Sequence, residues 1–243
     1  MNILAIDTTT KKAAIAIQKK NKIYEDSLTN EITHSEKLLP LIANSLDTTN
    51  LNLHDLDLLG LINGPGSFTG IRIGIATLKA FAQVNNLNIF SISSTMLIAY
   101  KAYIQRKNSQ YFVSLIDAKN NRVYFSINKI LDKSEKIVIS NIYETDNLLI
   151  DDAMVKIKEI CKDKSIDLKS LVFAGNAINN FKLNLISHNF LATNLLDIYP
   201  TPIDLINLYN NISDPNKYLF NAFSLDANYA RKSQAERMRE YEK

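Results

Sequence analysis

Two stretches of this chain end an apolar run on an aspartate and follow it with a small polar turn and a second β-type run. One is "LAIDTTT", giving Asp7, Thr8, Thr9 and Thr10; the other is "SLIDAKNNRVYF", giving Asp117. Turns of this kind supply backbone N–H and hydroxyl donors to phosphate, and their carboxylates can hold a hydrated Mg²⁺. Duplication of one phosphate-facing strand-turn-strand unit would produce the likeness. So would turn chemistry alone, since Asp and Asn favour turns anyway. The residues by themselves leave both readings open.

The third candidate is "NGPGSFTGIRIGIATLKAFAQ", residues 63–83, which holds four of the six glycines in the chain. Glycines at 64, 66 and 70 miss the Gly-x-Gly-x-x-Gly dinucleotide spacing by one residue, and Gly70 is followed by Ile71-Arg72 where a P-loop needs Lys-Ser/Thr. What the stretch does offer is a tight turn at Gly64-Pro65-Gly66 and capping hydroxyls at Ser67 and Thr69 for a helix. Inside that helix Gly70 and Gly74 lie one turn apart, with Thr77 next on the same face. Each helical glycine costs about 1 kcal/mol relative to alanine, so close approach of another backbone is expected there. Ile71, Ile75, Leu78 and Ala82 form an opposite apolar face, so both sides call for burial, either within the subunit or against another chain.

Other reactive side chains are sparse. A single cysteine, Cys161, excludes an internal disulfide and sits in the amphipathic "IKEICKDK" without a base partner in sequence. With three scattered histidines, a Cys/His zinc site is not expected. His34, between Thr33 and Ser35-Glu36, reads as a capping or interface residue. Arg72 suits a bidentate contact with a partner.

The elements that must carry these residues are legible. "NILAID" (2–7), "AAIAIQ" (13–18) and "KIYEDSL" (22–28) are joined by hairpin-length loops and predict an antiparallel meander. "THSEKLLPLIANSLD" predicts an amphipathic helix carrying Leu38, Leu41, Ile42 and Leu46, capped by Thr33 with Glu36 and kinked near Pro40. Strands follow at 57–63 and 87–93, with the glycine helix between them and a further helix, "STMLIAYKAYIQRK", after. "QRKNSQ" (105–110) predicts a boundary, giving units at 1–104 and 111–200 and a C-terminal helix and tail at 201–243 that packs back on the first. The second unit runs through strands at 111–117, "RVYFSINKIL", "KIVISNIYET" and 170–175, and Pro202 starts the last helix.

Composition sets the outer limits. Across 243 residues, 46% apolar and 22% charged content are those of a globular chain, and a net charge of +3 argues weakly for nucleic acid. The tail "ARKSQAERMREYEK" mixes charge signs at helical spacing, which suits a solvated terminal helix better than an RNA-touching one. "MNILAID" has no secretory signal, no run could span a membrane, and the lone cysteine fits a reducing cytoplasm.

"MNILAIDTT", "THSEKLLPLI", "GPGSFTGIRIGIATLKAFA", "DAKNNRVYF" and "FAGNA" followed by "PTPIDLINLY" closely resemble the bacterial TsaB family, in order and over nearly the whole chain. The resemblance implies an α/β fold of two ribonuclease-H-like sub-domains of the actin-like ATPase type, related by duplication. It implies nucleotide-facing positions, as a remnant, at Asp7, Thr8, Thr9, Thr10, Asp117, Gly175 and Asn176. It also implies a partner surface on the first two helices, which we expect at His34, Leu38, Leu41, Ile42, Gly70, Arg72, Gly74, Thr77 and Leu78. In the catalytic relative, TsaD, two metal-binding histidines stand where this chain has Ser94 and Ile98, and isoleucine cannot ligate a metal.

The function implied is a non-catalytic scaffold in the formation of threonylcarbamoyladenosine next to the tRNA anticodon. Its expected partners are a TsaD-like catalytic subunit, a TsaE-like ATPase, tRNA through the complex, and a second copy of itself when the partner is missing. No cofactor or metal is required, although ADP or ATP is possible at the interface. The alternative is a stand-alone ATP-dependent enzyme or protease, for which neither a general base near a substrate nor a nucleophile–base pair is visible.

Overall fold

The computed structural model describes residues 1–28, 34–133 and 136–226, with residues 34–36 described by backbone only. The first half runs β1 (Asn2–Asp7), β2 (Ala14–Lys19), β3 (Lys22–Ser27), α1 (His34–Thr48), β4 (Leu58–Ile62), α2 (Phe68–Asn85), β5 (Ile89–Ile92) and α3 (Ser94–Gln105). The second repeats that order: β6 (Tyr111–Asp117), β7 (Arg122–Lys133), β8 (Lys136–Leu149), α4 (Ile150–Asp163), β9 (Leu171–Ala174), α5 (Ile178–Ser187), β10 (Leu195–Leu196) and α6 (Pro202–Asn211). A two-residue strand, β11 (Leu219–Phe220), follows.

The sheets repeat as well. One is ordered β11-β5-β4-β1-β2-β3 and the other β10-β9-β6-β7-β8. In each, the first strand pairs antiparallel with the second and parallel with the fourth. Two halves with one topology are what duplication of a ribonuclease-H-like unit leaves behind, so the Asp7 and Asp117 turns are equivalent positions rather than coincidental turns.

Helices fill three layers around the two sheets. Leu38, Leu41, Ile42 and Leu46 of α1 join Leu78 and Ala82 of α2 on the outer face of the first sheet. Met154, Ile157 and Cys161 of α4, with Phe181 and Leu185 of α5, do the same for the second. Between the sheets lies a shared core of α3 and α6 with Phe90, Phe112, Ile116 and Val172. Burying each large apolar side chain there contributes roughly 1.5–3 kcal/mol. α3 lies before the expected boundary at 105–110 yet packs on β6, β7 and β9, whereas α6 packs on β1, β2 and β4. The two halves therefore exchange a helix across the middle and share their core.

Local signals explain most of the boundaries. Ser67 caps α2 by accepting from the Gly70 N–H, and Asn86 ends it in the left-handed conformation. Ser93 caps α3, and Thr201 with Asp204 forms a capping box ahead of Pro202. α1 runs through Pro40. Thr33, the expected cap of α1, and the tail from residue 227 lie outside the described residues. Among the described residues no helix is long and apolar enough to cross a membrane.

Candidate inter-sheet cleft and the helix face beside it

The two equivalent turns face one cleft of about 680 Å³, lined by Thr9, Thr10, Lys11, Lys12, Gly66, Ser67, Asp117, Lys119, Asn176, Asn180 and Tyr199 among others. Of the positions expected to face a nucleotide, Thr9, Thr10, Asp117 and Asn176 line it. Asp7, Thr8 and Gly175 stand behind it as supports. Gly175 has φ +136°, and a side chain there would drive into the Leu115 carbonyl, so its role is the turn that carries Asn176 to the rim.

Asp7 is buried at the end of β1, and its Oδ1 accepts from the Thr9 N–H at 2.7 Å and the Thr9 hydroxyl at 2.6 Å. Burial lifts its pKa from 3.8 to about 6, against the lowering effect of the Thr9 hydrogen bonds. Thr9 Oγ1 also lies 3.1 Å from the Tyr199 hydroxyl. Burial first, and the Asp7 carboxylate second, hold that phenol in its protonated form.

Asp117 is settled differently. Its backbone N–H donates to Asn176 Oδ1 at 3.0 Å. Its carboxylate accepts from Lys119 N–H at 2.8 Å, Lys119 Nζ at 3.0 Å and Asn180 Nδ2 at 3.1 Å. Partial burial raises its pKa, but the Lys119 amide, ammonium and charge together with Asn180 outweigh that and leave it below the usual value. With one carboxylate sealed behind Thr9 and the other paired to a lysine, this pair does not fit a hydrated Mg²⁺. Lys11, Lys12 and Lys119 instead give the cleft a cationic lining suited to an anion.

Ser67 joins this cleft to α2, since its N–H donates to the Thr9 carbonyl at 2.6 Å. A side chain at Gly70 would strike the Thr8 carbonyl, and one at Gly74 would reach within 2.5 Å of Thr8 Oγ1. The glycine face of α2 is thus occupied by the β1–β2 turn of the same chain. This overturns the expectation that Gly70 and Gly74 receive a partner. Leu38, Leu41, Ile42 and Leu78 are likewise 7% exposed or less, held in the core under α1 and α2, and they are corrected with the glycines. Thr77 is half-buried, and the side chain of His34 lies outside the described residues. Arg72 alone of that set is exposed, with its guanidinium 3.9 Å from the centre of the Phe68 ring.

The outer face of α2 is apolar as well, with exposed Phe68, Ala76, Ala80 and Val84, the last 77% exposed. Leu39 of α1 stands nearby, and an apolar groove of about 500 Å³ lies between α1, Phe81 and residues 51–54. The four-residue spacing of 68, 72, 76, 80 and 84 was present in the sequence. Two alanines at helical spacing carry little apolar signal, so the sequence alone does not mark this face.

The family described as "TsaD: tRNA N6-adenosine threonylcarbamoyltransferase" matches residues 29–210, well over half of the chain. A protein of Buchnera aphidicola subsp. Schizaphis graminum, "tRNA threonylcarbamoyladenosine biosynthesis protein TsaB", is 34% identical over 155 residues, 56% of this chain and 73% of that one. The chain belongs to the TsaB family. The Escherichia coli protein of the same description is 34% identical over 127 residues, 52% of this chain and 54% of its own length, so the match spans about half of that relative. Among solved structures, one described as "an uncharacterized protein with similarity to peptidase YEAZ from Pseudomonas aeruginosa" superposes with a TM-score of 0.74 at 20% identity, covering 95% of this chain and 99% of that one. At that identity the likeness speaks for the fold.

Proposed function

We infer that this TsaB-family chain is a non-catalytic scaffold in the formation of threonylcarbamoyladenosine in tRNA. In this reading it pairs with a TsaD-like catalytic subunit, and the pair recruits a TsaE-like ATPase and meets tRNA as a complex. The observation that carries the inference is the state of Ser94 and Ile98. By the resemblance, both correspond to metal-binding histidines of the catalytic relative, and both are 0% exposed on α3, Ile98 within the shared core. Isoleucine has no lone pair to offer, and neither side chain reaches solvent where a substrate could approach. Cys161, the one thiol, is buried, and burial pushes its pKa up to about 11, so it stays protonated and weakly nucleophilic at neutral pH.

The pairing surface we assign is the outer face of α2 with Leu39 and the neighbouring groove, the opposite side of the helices from the buried glycines. Phe68 and Arg72 supply the aromatic and guanidinium types that anchor interfaces, and Ala76 and Ala80 let a second helix approach closely. Without the partner, the same face would pair two copies of this chain. ADP or ATP, where it takes part, would lie in the lysine-lined cleft without a metal.

Co-expression with a TsaD-like subunit, followed by size-exclusion chromatography and a threonylcarbamoyl-transfer assay, tests the reading. The expected result is a heteromeric peak, with turnover only when both chains are present. Turnover by this chain alone would overturn it.

A further inference from the structure

Asp7 does not line the cleft, yet its carboxylate stands directly behind the wall. Ile3 and Ala5 of β1 lie in the core between the sheets, whereas Leu4 and Ile6 lie in the outer core of the first sheet. Alternation along the strand therefore puts Asp7 on the inner face, at the carboxyl end of β1. Thr9 Oγ1 donates to Asp7 Oδ1 at 2.6 Å and lies 3.1 Å from the Tyr199 hydroxyl. Both Thr9 and Tyr199 line the cleft, so a single threonine hydroxyl separates the buried carboxylate from the cleft wall.

The duplicated turns hold their carboxylates alike but do not neutralise them alike. In each, the aspartate Oδ1 accepts from the N–H two residues on, that of Thr9 or of Lys119. Asp117 has in addition the Lys119 ammonium at 3.0 Å, which offsets its charge. No cation does this for Asp7, where the two bonds from Thr9 alone work against the cost of burial. An anion drawn in by the lysines thus meets an uncompensated like charge behind Thr9. In a poorly screened interior that repulsion is strong, and a proton on Asp7 removes it.

The charged or titratable groups of the wall are Lys11 and Lys12 on the β1–β2 turn, Asp117 and Lys119 on the β6–β7 turn, Tyr124 on β7 and Tyr199 before α6. The start of α2 contributes only Gly66 and Ser67, and no histidine lines the cleft. Asp117 is held below the usual carboxylate range, and burial keeps the Tyr199 phenol protonated. Burial lifts Asp7 to about 6, which places its change of charge between pH 5 and 7. Building on the reading of this cleft as an anion site, we propose that it takes up its anion together with a proton from solvent on Asp7, so that acidification strengthens binding. The linkage is reciprocal: the anion raises the proton affinity of Asp7 by the same factor as the proton raises the affinity for the anion. Affinity is then greatest below the folded value of Asp7 and falls as pH rises through it.

The test uses the full chain labelled with ¹⁵N and ¹³C, observed by NMR, with sulfate as the probe because sulfate, unlike ADP, does not titrate near neutral pH. Ionic strength is held constant with sodium chloride. Gly66 lines the cleft and Gly60 lies inside β4, so the amide of one reports and that of the other serves as control. The Gly66 shift should saturate, with an affinity at pH 5 on the order of tenfold higher than at pH 8. Saturating sulfate should move the titration midpoint of the Asp7 carboxyl carbon upward by about one pH unit, the same tenfold read from the other side. Asp7→Asn should bind sulfate at pH 8 about as tightly as the parent does at pH 5, without dependence on pH. If that variant does not fold, the Asp7 titration in the parent decides the matter. Equal affinity at both pH values, an unmoved Asp7 midpoint, or an undiminished pH dependence in Asp7→Asn would overturn the coupling and leave the anion site standing. No saturable shift at Gly66 would overturn the anion site and the coupling with it.

Discussion

Thr8 Oγ1 stands 2.5 Å from the point where a Cβ on Gly74 would be, and the Thr8 carbonyl blocks a side chain at Gly70 in the same way. The β1–β2 turn and helix α2 are therefore in backbone-level contact. Through the bond from Ser67 N–H to the Thr9 carbonyl, the start of α2 and one wall of the cleft form a single unit.

Gly70→Ala tests this contact in the isolated chain. The Thr8 backbone would have to shift, an overpacking cost of about 1–3 kcal/mol. Urea unfolding of the purified protein should show that loss with no partner present. A variant as stable as the parent that nevertheless failed to pair would restore the glycines to the interface.

The outer face of α2 predicts the converse. Val84→Glu and Ala76→Arg alter exposed positions, where stability should change by no more than about 0.5 kcal/mol. Both place a charge in the proposed interface. The heteromeric peak in size-exclusion chromatography should weaken or vanish while the melting temperature holds. Undiminished pairing by both variants would move the partner surface elsewhere.

These two outcomes locate what the sequence could and could not tell. Short apolar β-type runs placed β1 and β6 with the bounds found, and the capping hydroxyl of Ser67 placed the start of α2, because those signals are local. Gly70 and Gly74 announced a close approach, yet helical spacing does not say which backbone comes close. The answer lay some sixty residues away, in Thr8. The crossing of α3 to the second sheet was hidden for the same reason, since its apolar residues do not say which sheet they meet. Within the cleft, Asp7 and Asp117 were visible as a repeat. Their fates were not, because Lys119 and Asn180 look like turn residues until the fold brings them to Asp117. The two-residue strands β10 and β11 are too short to carry a pattern at all.

The cleft should bind an anion without help from a metal. In calorimetric titration with ADP, Mg²⁺ should give no gain in affinity, because Asp7 is sealed and Asp117 is already paired. Lys119→Ala removes one cation and leaves the Asp117 carboxylate uncompensated, weakening ADP by about 1 kcal/mol, roughly fivefold. A large gain with Mg²⁺ would mean that the carboxylates open to a metal after all.

Asp7 makes a prediction about pH. Its folded pKa of about 6 lies above the ordinary 3.8, so the folded chain binds the proton more tightly than the unfolded one. The contribution of Asp7 to stability is then greatest below the unfolded value and declines as pH rises from about 4 through about 6, after which it is flat. At neutral pH the buried charge is a cost, with an upper bound on the order of 3 kcal/mol. Asp7→Asn keeps an oxygen to accept from Thr9 and removes that charge. The variant should equal or exceed the parent in urea unfolding at pH 7.5, and the difference between them should fall away as pH is lowered through 6 towards 4. A variant destabilised equally at both ends of that range would show that the Asp7 carboxylate is held by interactions stronger than its two bonds to Thr9.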